Sequence, residues 1–348
     1  MRRVLCGILA MCIAIGMVGC SGEHQQNADN SISPVSRDFF AMNTYIRLEA
    51  YGDKAADALS QAQERIEELE SRWSTTDENS EIYAVNHSDG HSITVSEDTA
   101  AVVSFALEMA EKTRGALEPT IYPVLTAWGF TTENHRVPEQ EEINRLLTTV
   151  DYQNVSIDGN AIQLETGMML DLGAVGKGYA SDEIATLLRE EGVTSALLNL
   201  GGNIMMIGSR FDGSDWHLGL QSPFENNTLG ILTVSDSAVV TSGNYENFFT
   251  AEDGTTYGHI IDPATGYPVN NGLASVTIVA QDGKTCDALS TALFVMGTDG
   301  AIEYWREYPG FEMILITQER QVLVTDGLEG HFILDKNYSD MEVDVVKR

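Results

Sequence analysis

The chain has few cysteines, and their positions limit what they can do. Cys6, Cys12 and Cys20 all lie within the first 20 residues, which leaves only Cys286 in the rest of the chain. The N-terminal stretch has the pattern of an export leader, so its thiols do not supply a disulfide framework. The exported domain must therefore be stabilised by packing.

Basic residues are also scarce. Lysine and arginine number 20 against 52 aspartates and glutamates, which gives a formal net charge of −32. Such a surface repels nucleic acid and anionic lipid, and no basic patch opposes this, so no nucleic-acid partner is expected. An anionic small ligand would need a local positive charge.

The N-terminus predicts secretion and lipidation. Two arginines precede an apolar run from Val4 to Val18, which is too short to span a bilayer comfortably. Cys20 follows a glycine, where a bacterial lipoprotein signal places the cysteine that receives the lipid. We predict a lipoprotein signal peptide over residues 1–19, lipidation at Cys20, and localisation in the cell envelope through a lipid anchor; the alternative is an ordinary cleaved signal.

The rest of the chain predicts one large domain. Residues 20–37 are polar, so we predict a flexible tether there, and we predict the folded domain over residues 38–340. Segment 39–52 reads as one strand, and hairpins are expected around Asp158–Gly159 and between segments 313–317 and 321–325. Apolar residues recurring every three or four positions predict helices over about 53–73, 97–114, 139–147 and 286–296. Because helices and strands do not alternate regularly, we predict an α+β fold with mixed or antiparallel sheets and packed helices.

A glycine-rich bend, DLGAVGKGYA at residues 171–180, leads into a helical pattern. It is not a P-loop, because Asp171 and Gly178 stand where glycine and serine or threonine are needed, and Ser181 breaks the dinucleotide fingerprint. Its glycines nevertheless let backbone N–H groups approach a ligand, the helix offers its positive end, and Lys177 adds a cation. These features suit a pyrophosphate; the alternative is a plain turn with solvated charges.

Two further segments carry possible chemistry. Asp287 and Thr291 are four residues apart, so a helix would place both oxygen ligands on one face, as Mg²⁺ would require. Both could instead only stabilise their own helix. His259 lies in GHIIDPATGYP and could take a proton from an attacking hydroxyl, or could be structural. Ser242 lacks a G-x-S-x-G setting, which argues against a serine hydrolase.

Seven segments, in order along the chain, resemble one family, the ApbE flavin transferases of bacterial envelopes. They are AMNTY (41–45), EPTIYPVLTAWGF (118–130), DLGAVGKGYA (171–180), LNLGGNI (198–204), VVTSGNYE (239–246), HIIDPATGYP (259–268) and DALSTALFVMG (287–297). The resemblance implies an ApbE-like, T-fold-related single domain. It also implies a Mg²⁺-dependent enzyme that transfers FMN from FAD to a threonine or serine hydroxyl of an acceptor protein and releases AMP.

The same resemblance implies partners and alternatives. Acceptors would be flavoprotein subunits of Rnf or Na⁺-translocating NADH:quinone reductase complexes, or secreted FMN-binding domains. If water replaced the protein hydroxyl, the enzyme would be an FAD pyrophosphatase giving FMN and AMP. The third alternative is a lipid-anchored flavin-binding protein without catalysis.

The resemblance also assigns roles to residues. It makes His259 the first candidate for the catalytic base and Asp171 the second, and it implies a metal site built from the backbone carbonyl of Ala174 and the side chains of Asp287 and Thr291. The implied flavin-binding residues are Met42, Glu118, Pro119, Thr120, Asp171, Lys177 and Ile261. The chain departs from the family pattern at Asn43, Thr76, Glu118 and Ser290, where a glycine, an aromatic residue, an aspartate and, in some relatives, another acid are usual.

Overall fold

The structure is a computed structural model that describes residues 33–132 and 134–348. The predicted signal peptide, Cys20 and most of the predicted tether lie outside the described residues. The first strand begins at Val35, so residues 35–37 belong to the sheet and not to the tether. The last strand, at 343–346, likewise lies beyond the predicted domain end at 340. No described helix is both long and apolar enough to cross a membrane.

The described residues form α-helices whose positions were partly predictable. The helices predicted over 53–73, 97–114 and 139–147 are present within about two residues of the expected bounds. The helix predicted over 286–296 begins three residues earlier, at Gly283, and stops where predicted, because Gly297 has non-helical backbone angles with φ of 76°; a second helical segment, which was not predicted, follows this kink to Glu307. The helices are α1 Ala55–Trp73, α2 Glu81–Asn86, α3 Glu97–Lys112, α4 Tyr122–Trp128, α5 Gln140–Leu147, α6 Gly176–Glu190 and α7 Gly283–Glu307.

The strands are mostly antiparallel and short. The first nine are β1 Val35–Ala41, β2 Thr44–Ala50, β3 Ile93–Thr94, β4 Ser156–Asp158, β5 Ala161–Gln163, β6 Ala196–Leu200, β7 Asn203–Ile207, β8 Trp216–Gln221 and β9 Thr228–Val234. The others are β10 Ala238–Gly243, β11 Phe248–Thr250, β12 Thr256–Gly258, β13 Ile261–Asp262, β14 Tyr267–Pro268, β15 Leu273–Ala280, β16 Phe311–Thr317, β17 Val322–Thr325, β18 Phe332–Leu334 and β19 Val343–Val346. Both predicted hairpins are present, as β4–β5 and β16–β17.

The segment predicted as one strand over 39–52 is a hairpin of two strands. β1 and β2 pair from Val35 opposite Ala50 to Ala41 opposite Thr44, so the turn contains only Met42 and Asn43. Both have positive φ, 50° and 57°, as a two-residue hairpin turn that matches the strand twist requires. The prediction of a single strand was wrong because neither residue is a glycine, the usual sequence signal for such a turn.

A nine-stranded sheet organises the domain, in the order β1-β2-β6-β7-β10-β15-β16-β17-β19. All neighbours are antiparallel except β17 and β19, which confirms the predicted mixed α+β architecture. Successive residues of a strand face opposite sides. Ala238 and Val240 of β10 therefore join the core beneath the helices, while Val239 joins the core beneath the three-stranded sheet β18-β9-β8.

A third, smaller apolar cluster lies beside the helical layer. Its buried members are Val124, Trp128, Ile143 and Ile261, which come from α4, α5 and β13. The Trp128 indole Nε1 donates a hydrogen bond to the Gly266 carbonyl at 2.8 Å, which ties α4 to the turn between β13 and β14. This cluster supports the segment that carries His259.

Candidate active site

A cavity of about 810 Å³ receives side chains from widely separated parts of the chain. Its wall includes residues of the β1–β2 turn, α1, α4, the glycine-rich bend, the 246–247 loop, segment 259–263 and α7. Of the residues predicted for the site, those lining the cavity are Met42, Glu118, Pro119, Asp171, Ala174, Lys177, His259, Ile261 and Thr291. Thr120 and Asp287 are not in its lining, although each contacts a segment that is.

The glycine-rich bend is held against α7 by a close approach of two glycines. A Cβ on Gly178 would overlap the carbonyl oxygen of Gly283 and lie 2.6 Å from Cβ of Asp287. A Cβ on Gly283 would in turn lie 2.8 Å from the carbonyl oxygen of Gly178. Only glycine at both positions lets α6 and α7 pack this closely, which explains physically why the residue after Lys177 is a glycine.

This approach places the carboxylate of Asp287 at the start of α6. Asp287 is 4% exposed, and its Oδ2 accepts a hydrogen bond from the Gly178 N–H at 2.8 Å. Within the described residues no lysine, arginine or histidine forms an ion pair with it, and Oδ1 accepts no hydrogen bond. A buried carboxylate with an uncommitted oxygen is costly, and a nearby cation would offset that cost.

The predicted metal ligands fit an oxygen-preferring cation. Thr291 and Ala174 line the same cavity, and Asp287 lies one helical turn before Thr291 on α7. The Thr291 hydroxyl lies 3.4 Å from the Ser242 Oγ, which also contacts Ser290 Oγ at 2.8 Å. No group of three or more histidines, cysteines or acids suited to a metal occurs in the described residues. The set therefore offers one carboxylate, a hydroxyl and a carbonyl, a combination that suits Mg²⁺ completed by water and phosphate oxygens.

Lys177 supplies the positive charge that an acidic chain would need for an anionic ligand. It is the one lysine or arginine among the described residues that line the cavity, and its Nζ donates to the Gly173 carbonyl at 3.2 Å. It is the second residue of α6, whose N-terminus adds a partial positive charge. The cation and the helix end together favour a phosphate group at this place.

Asp171 shapes the bend that carries Lys177. Its Oδ1 accepts a hydrogen bond from the Gly173 N–H at 2.8 Å, and its own N–H donates to the Pro119 carbonyl at 2.7 Å. Burial raises the pKa of the Asp171 carboxyl, while the Gly173 N–H and the charge of Lys177 act in the opposite direction. The carboxylate thus fixes the turn and faces the cavity at the same time.

His259 has the geometry of a proton acceptor. Its Nδ1 lies 3.2 Å from the Asn247 carbonyl, which can only accept, so Nδ1 carries the proton and Nε2 holds a free lone pair. Burial lowers the pKa of His259 to about 4; the contact with Asn247 opposes this shift and the charge of Lys177 reinforces it. The imidazole is therefore neutral at physiological pH.

Glu118 and Thr120 support the cavity wall from inside. The Glu118 carboxylate accepts hydrogen bonds from the Thr120 hydroxyl at 2.7 Å, the Thr120 N–H at 3.0 Å and the Tyr152 N–H at 3.1 Å. Burial raises the pKa of Glu118, and these donors act against that shift. Thr120 is fully buried and its hydroxyl also accepts from the Asp151 N–H at 2.9 Å, so its side chain lies behind the wall.

The backbone conformation of the β1–β2 turn explains how asparagine can stand at position 43, where the resemblance leads us to expect glycine. The Met42 N–H donates to Glu70 Oε1 at 2.7 Å, which fixes the turn on α1 at the cavity wall. Asn43 replaces the usual glycine at φ of 57°, and asparagine is among the residues that tolerate this left-handed conformation best. The left-handed turn therefore forms here although the glycine is absent.

Glu246, the last residue of the VVTSGNYE segment (239–246), was not predicted as a site residue. Glu246 lines the cavity and its side chain is exposed to solvent there. Desolvation by the cavity wall raises its pKa to about 7; the charge of Lys177 lowers the pKa and that of Asp287 raises it. No sequence signal marks this residue, because its environment arises only when three distant segments meet.

Comparison with known proteins agrees with this architecture. A family model described as "ApbE family" matches residues 42–315. An FAD:protein FMN transferase of Treponema pallidum is 31% identical over 95% of this chain and 97% of its own length, and one of Klebsiella pneumoniae is 30% identical over 89% and 98%.

Solved structures show the same fold. The crystal structure of the ApbE protein from Thermotoga maritima aligns with a TM-score of 0.81 at 31% identity, covering 86% of this chain and 99% of that one. The flavin transferase ApbE from Vibrio cholerae aligns with a TM-score of 0.75 at 27% identity, covering 82% and 94%. The family match spans most of the chain and all of the cavity-lining segments except Phe40, and the chain belongs to the ApbE family.

Proposed function

We propose that this protein is an FAD:protein FMN transferase that moves FMN from FAD to a serine or threonine hydroxyl of an acceptor protein and releases AMP. Its relatives of 30–31% identity carry that name. The observation that supports the proposal most directly is the meeting of Lys177, neutral His259 and the Ala174–Thr291 wall in one cavity. A cation for phosphate, a proton acceptor and oxygen ligands are the groups that phosphoryl transfer needs.

The residues suggest how the reaction proceeds. Lys177 and the N-terminus of α6 hold the pyrophosphate of FAD, and the apolar part of the wall, including Met42 and Ile261, receives the flavin. The acceptor hydroxyl oxygen bonds to the FMN-side phosphorus while its proton passes to Nε2 of His259. The bond between that phosphorus and the bridging oxygen breaks, and AMP leaves with the electron pair. His259 then returns the proton to solvent or to AMP.

Mg²⁺ fits the donor set at the α6–α7 contact. The carbonyl of Ala174 and the side chains of Asp287 and Thr291 would hold it. When bound, the ion offsets the negative charge that develops on the phosphate oxygens. The close Gly178–Gly283 packing, with the hydrogen bond from the Gly178 N–H to Asp287, supports this assignment because it brings Asp287 to the first turn of α6, which carries Lys177.

One incubation separates this proposal from its alternatives. The full chain is mixed with FAD, Mg²⁺ and a soluble FMN-binding acceptor domain, and the products are followed by in-gel flavin fluorescence and AMP release. Fluorescent acceptor with equimolar AMP supports transfer. AMP without labelled acceptor indicates an FAD pyrophosphatase, and intact FAD indicates a protein that only binds flavin; either result refutes the proposal.

The metal assignment has a matched control on the same helix. Asp287→Ala and Thr291→Ala should each lower transfer by about 10²-fold or more at limiting Mg²⁺, since each removes a proposed ligand. Asp299→Ala changes an exposed acid of α7 away from the cavity and should leave the rate unchanged. If the Asp287 and Thr291 variants kept their full Mg²⁺-dependent rate, the proposed ligands would be wrong.

We also propose that the enzyme works in the cell envelope, anchored by lipid on Cys20, on a flavoprotein subunit of a membrane redox complex or on a secreted FMN-binding domain. The support is the leader pattern of residues 1–19 and the strongly acidic composition, which disfavours direct binding to anionic lipid. Cys20→Ala should move the protein from the membrane fraction to the soluble fraction. Unchanged membrane association would contradict the lipid anchor.

A further inference from the structure

The sheet has an edge strand that leads directly to the mouth of the cavity. β1 is the first strand of the nine-stranded sheet, and among the described residues no strand pairs with its outer side. β1 ends at Ala41, directly before Met42 of the turn, and both Phe40 and Met42 line the cavity. The other edge strand, β19, contributes no residue to the cavity. β1 is therefore the edge that a polypeptide could follow into the site.

The register of the hairpin shows which backbone groups of β1 face outward. In a two-residue hairpin the residues flanking the turn form a hydrogen-bonded pair, here Ala41 with Thr44. Pairs then alternate, so the N–H and C=O groups of Ser36, Asp38 and Phe40 point away from β2. These groups lie along roughly 13 Å of strand, enough to pair with about four residues of another chain.

The side chains at this edge favour an extended peptide with an apolar residue. Phe40 is 69% exposed and Tyr45, directly opposite on β2, is 58% exposed. The Tyr45 hydroxyl donates to Asp38 Oδ1 at 2.6 Å, and Arg47 forms an ion pair with the same carboxylate at 3.5 Å. A large exposed aromatic pair at the end of an edge strand is uncommon, because open edges are normally protected from pairing.

We propose that the acceptor protein docks by adding an extended segment to the outer edge of β1, with an apolar side chain beside Phe40 and the modified hydroxyl entering the cavity past Met42. Such strand addition uses main-chain hydrogen bonds for affinity and side-chain pockets for specificity. This inference rests on the proposed function, since it needs a polypeptide acceptor. It adds the surface and the conformation in which that acceptor is recognised.

Asp38 allows a test that separates backbone pairing from side-chain effects. Asp38→Pro removes an outward N–H and leaves the hydrogen bonds between β1 and β2 in place, because Asp38 belongs to a pair that does not bond to β2. Asp38→Ala is the matched control: it removes the same carboxylate but keeps the N–H. Asp38 does not line the cavity.

The assay is flavin transfer from FAD to a soluble FMN-binding domain by the full chain, with FAD affinity measured in parallel by fluorescence. We expect kcat/KM for the acceptor to fall about tenfold or more in Asp38→Pro and to change less than about twofold in Asp38→Ala, with FAD affinity equal in both. Equal transfer by the two variants overturns strand addition and leaves the proposed function intact. Absence of transfer by the unmodified protein overturns the proposed function instead, and the docking inference with it.

Amide hydrogen exchange tests the same surface without any substitution, and so remains informative if Asp38→Pro folds poorly. Saturation with the acceptor domain should slow exchange at Ser36, Asp38 and Phe40. Arg37 and Phe39, which already pair with β2, should change little. Unchanged exchange at the three outward amides overturns the inference. Slow exchange there before the acceptor is added also overturns it, because another part of the chain would then occupy the edge.

Discussion

The contact between Gly178 and Gly283 makes a sharp prediction about how the site is assembled. In Gly178→Ala the new methyl group would meet the Gly283 carbonyl and Cβ of Asp287, and neither atom can move by a change of rotamer. α6 and α7 must separate, which also stretches the hydrogen bond from the Gly178 N–H to the Asp287 carboxylate. One alanine substitution should therefore damage both packing and the proposed metal site.

The magnitude follows from two terms. Overpacking a tight contact costs about 1–3 kcal/mol, and losing a hydrogen bond to a charged group costs about 1.5–3 kcal/mol. With partial relaxation we expect the free energy of unfolding to fall by about 3 kcal/mol, a large share of the roughly 5–15 kcal/mol typical of a folded domain. The apparent affinity for Mg²⁺ should fall by about tenfold or more, since each 1.4 kcal/mol corresponds to a factor of about ten.

Urea unfolding and Mg²⁺ titration of transfer activity measure the two effects. Gly176→Ala is the matched control for stability, because its Cβ would lie 3.8 Å from Leu172 and from Trp73, an ordinary contact distance. That variant should differ from the unmodified protein by less than about 1 kcal/mol. If Gly178→Ala unfolded at the same urea concentration as Gly176→Ala and bound Mg²⁺ normally, the packing argument would be refuted.

Three further predictions concern individual residues. The pKa of His259 is lowered to about 4 in the folded protein, whereas a histidine in the unfolded chain has a pKa of about 6.5. Between these two pH values only the unfolded state takes up the proton, so the free energy of unfolding should fall as the pH is lowered from about 6.5 to 4. Acid unfolding of His259→Gln should show a smaller decline. Lys177→Met should weaken FAD binding about tenfold in fluorescence titrations, because it removes the cation beside the proposed phosphate site. The same substitution should raise the pKa of Glu246 further, because the charge of Lys177 lowers that pKa in the unmodified protein. Asn43→Gly should be neutral or stabilise by less than about 1 kcal/mol, whereas Asn43→Val should destabilise by about 1–2 kcal/mol in thermal unfolding, since φ is 57°.

Local patterns predicted much of the secondary structure. The apolar spacing in segments 53–73 and 97–114 was sufficient to predict both helices, because one face of each helix is buried and its apolar residues therefore recur with the helical period. Periodicity failed at Met42–Asn43, where a left-handed turn occurs without glycine, whereas Gly297 interrupts the helix at the predicted place. At Met42 a contact distant in the chain outweighed the local signal, because its N–H is held by Glu70, 28 residues away.

The chemical groups of the site could be identified from the order of residues: a lysine in a glycine-rich bend, a histidine beside a turn, and an aspartate and a threonine one helical turn apart. What those groups can do depends on the folded chain, because their protonation and their distances from one another depend on neighbours that are distant in the sequence. Desolvation by the folded chain makes His259 neutral and raises the pKa of Glu246 to about 7, and the same packing turns Thr120 inward, away from the cavity. Residue order fixes the donors and acceptors, but desolvation and the distances between segments arise only when the core closes around them.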